Sequence, residues 1–101
     1  MEGAVKINNE LKHTPGPWTQ DRNVIEDAAG NEIARVSYER SGYVQANARL
    51  IAAAPDLLEA LRALTNAERD YASDPCLATR VQMDAALASA RAAIAKGGSN
   101  E

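Results

Sequence analysis

Phenylalanine is missing from this 101-residue chain, and one tryptophan and three tyrosines are all the aromatic surface it has. Alanine and the aliphatics must therefore supply the apolar area, which is 46% of the residues. Alanine forms helix readily and lets backbones approach closely, but each one buries little surface. A single small domain with a lean core follows, and association into an oligomer would compensate for it.

A single cysteine, Cys76, excludes an internal disulfide. The chain has no apolar run of membrane-spanning length, and "MEGAVKINNELK" lacks the charge order and apolar stretch of a secretion signal. These features predict a cytoplasmic protein with no membrane contact and a flexible leader over residues 1–12. The net charge of −3 argues against a general grip on nucleic acid, which normally needs a basic excess, although a local basic patch stays open.

Catalytic materials are equally scarce. His13 is the only histidine and lies far from Cys76, so no zinc spacing exists, and no loop of alternating acids offers a carboxylate cage. A phosphate cradle is absent too, because the glycine of "TPGPW" sits between prolines, which lack N–H donors. The reading is a non-enzyme with no catalytic residues, no metal and no cofactor. Near a helix N-terminus Cys76 would have a depressed thiol pKa, but a small first-turn residue is its ordinary role there.

What is present has a clear order. In "HTPGPW", Pro15 and Pro17 stiffen the chain and Gly16 permits a tight turn between them, aiming Trp18 at the start of a strand. Two β-compatible runs then flank "DAAGN", where Gly30 can take positive φ. In the second run Ile33, Arg35 and Ser37 fall on one face and Glu32, Ala34, Val36 and Tyr38 on the other, an imperfect alternation. A three-stranded antiparallel meander over about residues 17–38 is predicted.

Ser41 and Gly42 break the strand pattern, and helix formers follow from Val44. Val44, Ala48 and Ile51 form one apolar line; Leu50, Ala54, Leu57, Leu61 and Leu64 form another. Pro55 falls inside the stripe, so a short helix should end near Ala53 and a second begin at Pro55, running to about Tyr71; a kinked single helix is the alternative. Ser73 or Asp74 would cap a third helix with Pro75 in its first turn, Met83, Leu87, Ala90 and Ile94 along its inner line, and Gly97 as its C′ residue. The fold class is α+β: a small meander followed by a helical hairpin packed on it, one domain over 13–96 with a frayed tail at 97–101.

"HTPGPW", "IEDAAGNEIARV" and "ANARLIAAAPDLLEALRAL", in that order, resemble a family of short proteins of tailed bacteriophages and prophages, over about Thr14 to Leu64. The resemblance carries over no catalytic residues and leaves the C-terminal third outside the shared pattern. It implies an accessory protein that binds a host protein, a nucleic acid or a signalling molecule of host immunity stoichiometrically.

Candidate binding residues cluster around the strand-to-helix junction. Arg35, Arg40 and Arg49 with Tyr38, Tyr43 and Asn47 combine guanidinium forks and aromatic faces, the usual apparatus for a nucleotide or acidic ligand. The plainer reading pairs the arginines with Glu39, Asp56 or Glu59 in solvent. Trp18 either seals the sheet against Leu50 or Leu57 or stacks on a ligand. Small residues on several faces of "MDAALASARAAIA" suggest a homo-oligomer through alanine-rich helices. The expected function is anti-defence binding of a host protein or a small anionic nucleotide; the alternatives are a nucleic-acid-associated regulator and a structural or assembly protein without a ligand.

Overall fold

The computed structural model describes residues 12–38 and 42–98. The leader through residue 11, the stretch 39–41 that contains Arg40, and the tail 99–101 lie outside the described residues. Strands β1 (Thr19–Asp21), β2 (Val24–Glu26) and β3 (Glu32–Arg35) form an antiparallel meander, followed by helices α1 (Val44–Ala52), α2 (Ala54–Ser73) and α3 (Leu77–Lys96). This is the α+β order read from the sequence.

Two turns hold the meander. Between β1 and β2, Arg22 takes a φ of 60° and its carbonyl accepts from the Gln20 side-chain amide at 2.7 Å. The next residue, Asn23, is buried; its side-chain amide donates to the Val36 carbonyl at 2.8 Å, and its own carbonyl accepts from the Val36 N–H at 2.7 Å. Asn23 thereby ties the exit of β3 to the first turn. Between β2 and β3, Asp27 accepts from the N–H groups of Ala29 and Asn31 while Gly30 sits at φ 90°, the conformation that the "DAAGN" reading requires.

The imperfect alternation in β3 has a specific cause. Ile25 of β2 faces Ala34, yet the next residue, Glu26, faces Glu32, which leaves Ile33 as an extra residue in a bulge. A bulge resets the period of two. Ile33 and Ala34 therefore both pack inward, and Glu32 and Arg35 both face out, in place of the strict alternation predicted.

Ile25 is fully buried at the centre of the sheet, under Ala48 and Ala52 of α1, and Trp18, Ile33, Ala34 and Val36 close around it. Of the three helices, α1 is the one laid against β1 and β2. Its inner line is Val44, Ala48 and Ala52, all buried; Val44 and Ala48 are as predicted, and Ala52 takes the third place because Ile51 turns toward solvent. Ala53 then links α1 to α2, and buried Pro55 occupies the first turn of α2, as its missing N–H and fixed φ allow.

Helices α2 and α3 form an antiparallel hairpin whose seam is made of alanine. Ala60 and Ala67 of α2 and Ala86 and Ala93 of α3 are its buried residues, with Leu64, Met83 and Ala90 half-buried beside them. The inner line of α3 is thus one residue away from the predicted Leu87 and Ile94, which are exposed. Alanine at facing positions lets two backbones come close, and the larger side chains are displaced to the flanks.

The helix ends also differ from expectation. Ser73 closes α2, Asp74 is its C-cap, and Cys76 is the N-cap of α3, so Pro75 precedes the third helix instead of opening it. The Thr79 hydroxyl accepts from the Cys76 N–H at 3.1 Å and donates to the Asp74 carbonyl at 2.8 Å, bridging both helix ends. At the other end Gly97 remains right-handed and Gly98, at φ 87°, takes the left-handed place.

Candidate functional site

The segment "HTPGPW" folds back on itself and onto the helices. The Trp18 indole N–H donates to the Thr14 carbonyl at 3.0 Å, and the His13 ring stands edge-on to the indole with centroids 6.3 Å apart. The Gly16–Pro17 peptide bond is cis. Gly16 has no left-handed φ; its smallness serves a close approach, since a Cβ there would lie 3.1 Å from Pro55 Cβ. The proline loop is therefore docked on the start of α2.

This docking encloses a half-open groove of about 940 Å³ between the loop, the N-terminal turns of α2 and the C-terminal turns of α3. Pro15, Pro17, Leu58, Ala63 and Ala92 give it apolar walls, and Asp56, Glu59, Arg62 and Lys96 give it charges of both signs. Lys96 Nζ donates to Asp56 Oδ2 at 3.2 Å across the base of the hairpin. Each partner also suits its own helix: the carboxylate lies in the first turn of α2 and the ammonium in the last turn of α3, where the helix dipoles favour those charges.

The residues singled out from the sequence are dispersed around this groove, not gathered in it. Trp18 packs on the Ile25, Ala48 and Ala52 cluster, and Leu50 instead reaches toward Gly97. Arg35 forms a two-pronged ion pair with Glu32, Nε to Oε2 at 3.1 Å and a terminal nitrogen to Oε1 at 2.7 Å. The Glu32 bond and charge hold the Arg35 guanidinium proton more tightly than usual. The partner differs from the predicted Glu39, Asp56 or Glu59 because the bulge brings positions 32 and 35 to one face.

Arg49 lies against Gly98 at the end of α3, whereas Asn47, two residues earlier on α1, projects about 160° away around the helix axis. Tyr38 and Tyr43 are both largely exposed near the junction, and Arg40 lies outside the described residues. Of the three candidate arginines, the two described, Arg35 and Arg49, are thus committed to separate neighbours.

Sequence reasoning missed Asn23, Asp56 and Lys96 as organising residues. Asn23 carried no local signal, because its partner Val36 is brought near only by the meander. The 40-residue separation of Asp56 and Lys96 concealed their pairing, although acid at a helix start and lysine at a helix end were each visible. Cys76 is exposed, and its thiol is shifted below its ordinary pKa first by the backbone N–H of Thr79 and then by the Thr79 side chain.

None of the described helices is long and apolar enough to cross a membrane. Comparison with curated proteins and with solved structures yields no match. A family described as Salmonella phage P22 protein Y8K6 matches residues 1–100, and so includes the C-terminal third that the sequence resemblance left out. With a match over nearly its whole length, the chain belongs to that phage protein family.

Proposed function

We propose that this phage protein is a non-enzymatic accessory factor of the host cytoplasm that counteracts host antiviral defence by binding a host protein stoichiometrically. The observation that carries this reading is the groove framed by the docked proline loop, with apolar walls and two charges of each sign. Such a surface suits a protein segment better than a compact anion. An anionic nucleotide would call for converging cations, whereas Arg35 is held by Glu32, Arg49 lies at Gly98, and Lys96 is paired with Asp56.

The experiment is capture from infected cells with the full chain and with a groove variant, Glu59→Arg combined with Arg62→Glu. The expected result is one host protein retained in equimolar amount by the wild type and lost by the variant. A phage lacking the gene should then plate poorly on hosts that carry that protein and normally on hosts without it. Equal retention by both chains, recovery of a nucleotide as the sole specific species, or plating that is independent of the captured protein would overturn the proposal.

A further inference from the structure

The sequence suggested self-association through alanine; four alanines, Ala60, Ala67, Ala86 and Ala93, are buried in the hairpin's own seam. Ala60 faces α3, so its neighbours Glu59 and Leu61 fall about 100° to either side. Glu59 lines the groove, which puts Leu61 on the opposite face. The same step holds on α3: Ala92 lines the groove, Ala93 is in the seam, and Ile94 is on the far face, with Leu87 in the equivalent place after Ala86. Leu61, Leu87 and Ile94 are 62%, 36% and 48% exposed, an apolar patch left open among the described residues.

We infer that this far face of the hairpin is the contact between two copies of the chain. Its dimensions fit. Helices of 20 residues are about 30 Å long, and two side by side are about 20 Å wide, so the face offers about 600 Å² per copy and about 1,200 Å² in a pair. That is the lower bound of a stable interface. By the same helical step its rim carries charges of both signs, Glu68 and Asp84 with Arg69, Arg80 and Arg91, and Arg80 pairs with Asp84 at 3.9 Å. A second copy laid over it by a two-fold axis meets an apolar centre and a rim of mixed charge, on which opposite signs can be matched. Because the groove lies on the other side of the hairpin, a dimer keeps both grooves open, and the inference does not depend on the proposed function.

Sedimentation of the full chain between about 1 and 100 μM tests it. The expected result is a mass approaching twice 10.8 kDa at high concentration. The combined variant Leu87→Lys and Ile94→Lys should remain helical by circular dichroism and sediment as a monomer. Leu61→Gln, a milder change outside α3, should weaken association at least about tenfold, while Glu59→Lys on the groove side should leave it unchanged. A wild type that is monomeric throughout, or dimerisation unaffected by Leu61→Gln, would overturn the inference even if the double variant fails to fold.

Discussion

The indole N–H of Trp18 donates to the carbonyl oxygen of Thr14 at 3.0 Å, closing the proline loop on itself while the ring rests on the sheet core. The two roles are separable. Trp18→Phe keeps a ring but loses the donor and should cost about 0.5–1 kcal/mol. Trp18→Ala also removes the half-buried ring, and about 2–3 kcal/mol is expected, the low end for an aromatic truncation. Urea unfolding of the three chains gives both numbers; equal losses would mean that the hydrogen bond, not the ring, anchors the loop.

Asp27 makes the sheet sensitive to acid. The Asn31 backbone N–H contributes most to holding its carboxyl below the ordinary 3.8; desolvation, the next largest influence, opposes it, and the Asn31 side chain and the Ala29 and Gly30 backbones add to the lowering. A depressed folded-state pKa contributes stability above the unfolded value that is lost as pH falls through the folded one. Asp27→Ala should therefore have a lower urea midpoint than wild type at pH 7, and the gap should narrow steadily below pH 3.8. A gap independent of pH would mean that the turn does not depend on the ionised carboxylate.

Much of this architecture was legible because the decisive residues act locally. Pro55 marks the break between α1 and α2 through its missing N–H, and Gly30 marks the β2–β3 turn through its positive φ. What could not be read depends on distant partners. The phase of α3 was ambiguous because alanine counts as apolar on every face, so only the close approach to α2 selects Ala86 and Ala93 over Leu87 and Ile94. The pairing of Arg35 with Glu32 was hidden by a bulge that exists only once β2 has set its register. The groove, assembled from the loop, α2 and α3, left no mark in any one stretch of sequence.

Thr79 links two helices through one hydroxyl, so its loss should be read in two ways. Thr79→Ala leaves the Cys76 N–H and the Asp74 carbonyl without their side-chain partner and should cost about 1 kcal/mol, a typical cap. It should also raise the Cys76 thiol pKa, while the retained Thr79 backbone N–H keeps it below the ordinary 9.0. The pH dependence of alkylation of Cys76 checks this: the midpoint should lie below 9.0 in the wild type and move upward in the variant. An unchanged midpoint would assign the whole depression to the backbone.

The alanine seam predicts an unusual order of tolerance along the hairpin. Ala67 is 1% exposed and faces α3, so Ala67→Leu has no room and must push the helices apart, at about 1–3 kcal/mol. The reverse truncation on the flank, Leu87→Ala, removes a larger side chain from a partly open site and should cost less than Ala67→Leu in the monomeric state. Measured at micromolar concentration or below, where association adds nothing, the two unfolding midpoints should therefore rank Leu87→Ala above Ala67→Leu. In a hairpin packed on Leu87 and Ile94 the order would invert, because truncating a core leucine leaves a cavity while a leucine added on an outer face meets only solvent.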